Sequence, residues 1–261
     1  MKHHDDALDR FVGLAADDPE IVAVVVAGSV ARGTERADSD VDLYVVVTDD
    51  AYDRAFAADR IMYVSDRDVD YPGGYFDVKL ITVRMLERAR ASADDPMRAS
   101  LRGARTVHSR VDDLDRLLAE VAEPTAAEFD AKVASFLAQA RLHGGYFFVQ
   151  GVAHDDPLLT AHAAVHLAFA AGRALLASQG VLFSGPKYLF ETVASLPDAP
   201  PGFADALVRL VRDQTPQSAE LVLSTLEEHL GDRLSDDATL STFVRDNELA
   251  WYTRVAPPEY R

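Results

Sequence analysis

Three short apolar runs mark strands in the N-terminal part of the chain. Val22 to Ala27 is an unbroken run of small and β-branched apolar residues that ends at a glycine. Such a run is typical of a strand that is buried on both faces. Leu43 to Val47 and Tyr75 to Ile81 form two further runs of strand length. Helical periodicity between the runs, as in residues 5 to 17, predicts a small mixed sheet with helices covering one face.

Beyond residue 112 the pattern becomes helical, and no convincing strand remains. Pro124-Thr125 breaks one helix and caps the next, which places a domain boundary there. We therefore predict an α+β protein, with a small mixed β-sheet domain over residues 1–123 and an all-α helical bundle over residues 124–261. The apolar stripes predict bundle helices at residues 129–150, 160–178, 187–195, 202–213, 216–230 and 236–250.

The composition is that of a soluble protein with ample material for a core. Apolar residues make up 48% of the 261 residues. No apolar run approaches the ~18 residues of a membrane span, and residues 1–10 are charged where a signal peptide would be apolar. The absence of cysteine excludes disulfides and thiolate metal sites. We expect a cytoplasmic protein with no membrane contact.

The charge balance argues against a nucleic-acid partner. The net charge is −17, whereas binding along a phosphate backbone needs clustered lysine and arginine. The chain holds 31 aspartates against 12 glutamates and 22 arginines against 4 lysines. This bias fits either a protein from a salt-loving organism or one encoded by a high-GC genome. An acidic cleft would also suit a cationic small molecule.

Two aspartates stand at the mouth of the second apolar run. Asp40 and Asp42 are two positions apart, so strand periodicity puts both side chains on one face of the sheet. Two adjacent carboxylates repel each other unless a hard cation binds oxygens of both. Mg²⁺ held by such carboxylates together with substrate phosphates is a common arrangement.

The glycine that ends the first strand predicts a phosphate-binding turn. Gly28 allows a backbone conformation that is closed to other residues. The residues from Ser29 to Arg32 read as the first turn of a short helix, whose free N–H groups point outward. That arrangement suits an anionic phosphate.

These residues carry a resemblance. The pattern G-S-x-A-R-G-T followed by S-D-x-D-L resembles the signature of the DNA polymerase beta-like nucleotidyltransferase superfamily. The resemblance implies a third carboxylate on a neighbouring strand, and Asp77 lies inside the run Y-F-D-V-K-L-I, about 35 residues after the pair. The alternative is a set of solvated surface carboxylates. Asp77 argues against that alternative, because a carboxylate between Phe76 and Val78 would be costly unless it were paired or coordinated.

A nucleotidyltransferase domain followed by a helical bundle is similar to the aminoglycoside nucleotidyltransferases of the kanamycin type. In the helical half this likeness rests on short similar stretches and not on a specific motif; examples are F-F-V-Q-G and K-Y-L-F-E-T-V. Aligned back from Val149-Gln150-Gly151, the glutamate that is the general base in the kanamycin type falls on Gln139, and a lysine falls on His143. An amide cannot take a proton, so a carboxylate such as Asp77 would have to do so. The departure also counts against an aminoglycoside substrate.

The resemblance implies a Mg²⁺-dependent transfer of a nucleoside monophosphate, with release of pyrophosphate. The expected donor is a nucleoside triphosphate, ATP in the first instance, and the expected acceptor is a hydroxyl of a small molecule. By the resemblance, Asp40, Asp42 and Asp77 are the catalytic residues and bind two Mg²⁺ ions. Gly28, Ser29, Arg32 and Ser39 would bind the nucleotide. Lys187, one of few lysines, follows a Gly-Pro pair and is either a further triphosphate contact or an ordinary surface lysine.

Other interpretations remain open. The chain could be a protein-modifying AMP transferase of a toxin–antitoxin type, or a nucleotide-binding module without turnover. Relatives of the kanamycin type pair so that both subunits build a site, which makes a homodimer the expectation to test. His162 and His166 lie one helical turn apart without a third visible ligand, which favours ordinary helix-face histidines. His3 and His4 are expected to be disordered.

Overall fold

The computed structural model describes residues 1–260 and divides into two compact units. Unit 1 comprises Met1–Ala93 and Met97–Pro124, and unit 2 comprises Asp94–Pro96 and Thr125–Arg261. The division along the chain falls next to the predicted boundary at residue 123, except that the short segment Asp94–Pro96 groups with unit 2. That each unit is an independent domain stays a prediction.

Unit 1 holds a mixed five-stranded sheet in the order β3-β4-β2-β1-β5. Strands β2 and β4 are parallel, and the other neighbouring pairs are antiparallel. The elements of residues 1–124 are α1 (Lys2–Asp17), β1 (Ile21–Val26), α2 (Gly28–Arg32), β2 (Val41–Val47), α3 (Asp49–Ala57), β3 (Met62–Ser65), β4 (Phe76–Ile81), α4 (Val83–Ser92), α5 (Asp95–Leu101), β5 (Arg105–Ser109) and α6 (Leu114–Ala122).

The central strand β1 is buried on both faces, as its unbroken apolar run predicts. Val24 and Val26 pack with Leu8 of α1 on one face of the sheet, while Val25 packs with Leu118 of α6 on the other. Helices therefore cover both faces, and the prediction that they cover only one is wrong. Strand alternation explains the difference, because the apolar residues of β1 supply two separate surfaces that each need a covering layer.

Threonine side chains cap two helices of unit 1. The Thr48 and Thr82 hydroxyls accept hydrogen bonds from the Ala51 and Met85 N–H groups, so each threonine caps the helix that follows. The short helix α5 was not predicted. It begins at Asp95-Pro96, where proline at the second position tolerates the missing N–H donor.

Unit 2 contains helices and no strand among its described residues, so the fold class is confirmed. Its helices are α7 (Ala126–Leu142), α8 (Phe148–Ala153), α9 (Pro157–Ser178), α10 (Leu189–Ala194), α11 (Phe203–Asp213), α12 (Pro216–Leu230), α13 (Thr239–Phe243) and α14 (Ala250–Thr253). A π-helical turn at His143–Phe147 interrupts the predicted helix 129–150, close to the Gly144-Gly145 pair.

The helix α9 runs through the core of unit 2. By length and composition alone it would suffice to cross a membrane, but more than half of its most apolar window is buried inside the protein. The core helix of a soluble protein passes the same test. Its alanines, among them Ala164, Ala168 and Ala171, are buried, and their small side chains allow close packing against α7.

Three histidines meet in unit 2. The ring of His143 lies 4.7 Å from the ring of His166 and 5.7 Å from that of His162, measured between centroids. Burial, followed by the nearby charges of His166 and His162, lowers the pKa of His143 to about 4. His166 also faces Glu259, with Nδ1 to Oε1 at 3.4 Å.

This cluster predicts that acid destabilises unit 2. His143 has an ordinary pKa of 6.5 when unfolded and about 4 when folded, so the unfolded chain binds more protons between these values. Stability therefore falls as the pH drops from 6.5 towards 4, by up to about 3 kcal/mol for this group. In urea unfolding, His143→Phe is expected to flatten the pH dependence in this window. His229→Gln, at an exposed histidine, should retain it; an unchanged slope in His143→Phe would contradict the assignment.

Candidate active site

The turn that follows β1 brings backbone and carboxylate into close contact. Gly28 begins α2 with a φ of +64°, in the left-handed region. A Cβ atom at this position would lie 1.9 Å from Oδ2 of Asp42. Glycine is required here for two reasons: the backbone angle is positive, and the Asp42 carboxylate leaves no room for a Cβ atom. Ser29 follows in the first turn of α2, where it is half-buried.

Gly28→Ala is expected to abolish activity by displacing Asp42. Gly33→Ala is a matched control, because Gly33 also has a positive φ of +68° but has nothing within 4 Å of an added Cβ. Both variants should lose about 1 kcal/mol of unfolding free energy to backbone strain. Only Gly28→Ala should lose turnover in a pyrophosphate-release assay. Equal activities in the two variants would show that the contact with Asp42 does not matter.

Register across the sheet places two of the predicted carboxylates side by side. Asp42 of β2 is directly opposite Asp77 of β4 in the parallel pair. Burial raises the pKa of Asp42, and the neighbouring negative charge of Asp40 raises it further. The charge of Asp77 acts in the same direction, while those of Lys79 and Arg32 oppose it. Asp40 and Asp77 therefore both lie close enough to repel the charge of Asp42.

Lys79 is a site neighbour that sequence reasoning missed. Its ammonium lies 3.4 Å from Oδ1 of Asp77, and the Lys79 charge lowers the pKa of Asp42 against the larger effects of burial and Asp40. Because Lys79 is two positions after Asp77 on one strand, alternation alone could have placed both on the same face. Lys79 provides positive charge beside an otherwise acidic group.

The loop that carries Ser39 and Asp40 is held from beneath. The Ser39 carbonyl accepts hydrogen bonds from the Tyr71 hydroxyl at 3.0 Å and from Nε2 of His4 at 3.1 Å. The Ser39 hydroxyl accepts from the Arg36 N–H. His4 is fully buried in α1, so the expectation that His3 and His4 are disordered is wrong. The contacts of His3 and His4 with this loop join distant parts of the chain, so the charged N-terminal segment by itself does not predict them.

A second tyrosine contacts the site directly. The hydroxyl of Tyr75 hydrogen-bonds to the Asp40 carboxylate, and that bond is the main cause of a raised pKa for Tyr75. Tyr75 directly precedes β4, the strand that carries Asp77. The same segment of chain therefore supplies one carboxylate of the group and a hydrogen-bond donor to another.

The donor set suits a hard divalent cation. Oδ1 of Asp77 is buried and forms no hydrogen bond with the described residues, although the Lys79 ammonium lies 3.4 Å from it as an ion-pair partner, and Asp42 is partly buried beside it. Carboxylate oxygens are the ligands that Mg²⁺ prefers, and a cation would relieve the repulsion among the three aspartates. Within residues 1–260, no group of three or more histidines and carboxylates is arranged as a complete metal site.

Of the remaining predicted residues, Arg32 belongs to unit 1, whereas Lys187 and Gln139 belong to unit 2. Arg32 is exposed at the end of α2, and its charge acts on Asp42. Lys187 belongs to unit 2, in a turn at Pro186–Tyr188, with its ammonium 5.3 Å from the centre of the Tyr188 ring. Gln139, the residue aligned with the general base, is 2% exposed inside unit 2. The roles of Arg32, Ser39 and Lys187 in binding a nucleotide stay predictions.

Comparison with known proteins identifies the type of domain. Residues 12–71 match the family model of the polymerase beta nucleotidyltransferase domain. The match includes Gly28, Ser29, Arg32, Asp40 and Asp42, whereas Asp77 lies beyond it. The predicted membership of the polymerase beta-like superfamily is thus confirmed for this domain. The kanamycin-type resemblance stays a prediction.

More distant likenesses add little. The chain is similar to the crystal structure of a nucleotidyltransferase-like protein from Exiguobacterium sibiricum, with a TM-score of 0.47 and 16% sequence identity. The alignment covers 92% of this chain and 77% of that chain. A likeness at this level does not bear on substrate or mechanism. No curated protein matches the chain.

Proposed function

We propose that this nucleotidyltransferase moves a nucleoside monophosphate, AMP in the first instance, from a nucleoside triphosphate to a hydroxyl of a small molecule. The observation that supports it most is the in-register pair of Asp42 and Asp77, which lies beside Asp40 and against the Gly28 turn. Domains of the matched type use a nucleoside triphosphate and a divalent metal. The net charge of −17 makes a small molecule a better acceptor than a nucleic acid.

Each part of the group has a task in this reaction. The N–H groups after Gly28, with Ser29 and Arg32, bind the β- and γ-phosphates. Asp40, Asp42 and Asp77 would hold two Mg²⁺ ions, which would supply positive charge to the reacting phosphates when bound. Asp77 accepts the proton of the acceptor hydroxyl. The oxygen then bonds to the α-phosphorus, the bond to the bridging oxygen breaks, and pyrophosphate leaves.

The buried state of Gln139 supports the choice of Asp77 as the base. The Gln139 side chain is enclosed in unit 2, and its amide could not accept a proton even if it were reached. Asp77 has a buried oxygen that forms no hydrogen bond, with the Lys79 ammonium 3.4 Å from it, and it lies in register with Asp42. It is the third carboxylate of the group, beside Asp42.

The test is Mg²⁺-dependent release of pyrophosphate. Each of the four nucleoside triphosphates is offered with a panel of hydroxylated small molecules, aminoglycosides included, at low and at molar salt. Release with one acceptor class would establish the activity and identify the class. Release only in the presence of a protein acceptor would replace this proposal with protein modification. Triphosphate binding without any release would indicate a binding module.

A further inference from the structure

The apolar surface of β3 lies next to the carboxylate group. In the antiparallel pair of β3 and β4, Val64 is directly opposite Asp77, and Met62 is directly opposite Lys79. Opposed residues point to the same face of a sheet. One row across the sheet therefore runs from Val64 through Asp77 to Asp42. We refer to Met62 and Val64 together as the β3 shelf.

The side chains of the β3 shelf are exposed. Met62 is 49% exposed and Val64 is 59% exposed. Further along the same face, side chains such as Leu86 and Leu101 cover the sheet and are almost fully buried. Apolar residues left bare on an edge strand favour unwanted pairing between chains. Because Met62 and Val64 lie beside Asp77 and Lys79, they could instead form a binding surface for a substrate.

The order of the strands decides which substrate reaches the shelf. The Gly28 turn, which binds the leaving phosphates in the proposed reaction, follows β1. Strands β4 and β3 lie on the opposite side of β2 in the sheet order. In-line displacement requires the attacking oxygen to enter opposite the leaving group. The acceptor therefore approaches over Asp77, from the side of the β3 shelf.

We infer that the acceptor is a hydroxyl compound with an apolar body, which lies on Met62 and Val64 while its hydroxyl faces Asp77. This inference rests on the proposed function and narrows its acceptor class. A polycationic acceptor such as an aminoglycoside would meet two apolar side chains and the Lys79 ammonium at this place. An alcohol attached to an aromatic or aliphatic group instead buries apolar area on the shelf.

The inference is tested by methyl resonances in the full chain. Met62 is one of four methionines, so ¹³C-methyl labelling resolves it with few neighbours. The protein is loaded with Mg²⁺ and α,β-methylene-ATP, and 2-phenylethanol, glycerol and kanamycin are added separately. Only 2-phenylethanol is expected to shift the Met62 signal. Val64→Thr should weaken the apparent affinity of the protein for 2-phenylethanol about tenfold, the change expected when an apolar contact is lost.

A control on the same strand separates the shelf from general effects on β3. Tyr63 lies between the two shelf residues and points to the opposite face. Tyr63→Thr should therefore leave binding of 2-phenylethanol unchanged. Equal shifts of Met62 with glycerol or kanamycin, or no shift with 2-phenylethanol while the nucleotide analogue is bound, would overturn the inference.

Failure of the shelf and failure of the proposed function give different results. Pyrophosphate release with an acceptor that does not shift the Met62 signal would support the transferase activity and contradict the role of the β3 shelf. A Met62 shift by 2-phenylethanol, without pyrophosphate release from any triphosphate, would keep the shelf as a binding surface and remove the transfer reaction. Loss of binding of α,β-methylene-ATP would remove both.

Discussion

Asp42→Asn should lower the rate of pyrophosphate release by about a thousandfold or more, which corresponds to roughly 4 kcal/mol of transition-state free energy. The reason is the position of Asp42 between Asp40 and Asp77, against the Gly28 turn. An amide cannot supply the negative charge that a divalent cation needs at this place. Asp40→Asn should cause a loss of the same order. The check is the initial rate of release at saturating Mg²⁺ and triphosphate.

The same substitution should not harm the fold. Burial and the charge of Asp40 raise the pKa of Asp42, so its ionised form is disfavoured in the folded protein without metal. A neutral asparagine removes this cost, and the free energy of unfolding should stay the same or increase. Asp53→Asn, at an exposed position of α3, serves as the control for activity. Full turnover in Asp42→Asn would contradict the role of the carboxylates. A large fall in the melting temperature of Asp42→Asn would also contradict it, because unfolding would then account for the lost activity.

Asp95→Asn should destabilise unit 2 by about 3 to 5 kcal/mol. Asp95 is 3% exposed, and it forms ion pairs with Lys132 and Arg173. Arg173 is 1% exposed and lies 4.2 Å from the ring centre of Phe136, and burial lowers its pKa against the opposing charge of Asp95. Loss of the carboxylate removes the ion-pair partner that Lys132 and Arg173 share, and leaves the smaller effects of Glu259 and Asp94 as the opposing charges near Arg173.

The measurement is urea unfolding at low and at molar salt. Buried ion pairs are screened far less than exposed ones, so the loss in Asp95→Asn should persist in molar salt. The matched control is Asp198→Asn, at an exposed aspartate in unit 2, which should change stability by less than about 0.5 kcal/mol. A similar small effect in both variants would mean that Asp95 does not hold the two cations.

The local features of this protein were open to prediction from the sequence. The unbroken apolar run of β1, the threonine caps of α3 and α4 and the positive φ at Gly28 each depend on residues near one another in the chain. Side-chain alternation and capping act over a few residues. For this reason the motif from Gly28 to Asp42 was readable as a nucleotidyltransferase signature, and the domain match agrees with it.

Other features depend on contacts between distant parts of the chain. The pairing of Asp42 with Asp77 is a register between two strands, and a shift of one residue would turn Asp77 to the other face. His4 reaches Ser39 only because α1 packs across the sheet, and a histidine in a charged segment carries no sign of such burial. Asp95 joins Lys132 and Arg173 in the same way.

The sequence by itself determined the strands, the helix caps and the type of chemistry, because those depend on short-range backbone preferences and on the charges of neighbouring residues. The tertiary structure alone decided that helices cover both faces of the sheet, that Asp77 pairs in register with Asp42, and that Met62 and Val64 remain exposed beside Asp77. These features depend on strand order and on which surfaces exclude water together. Such long-range features follow from the packing of distant parts of the chain against one another, so no single segment predicts them.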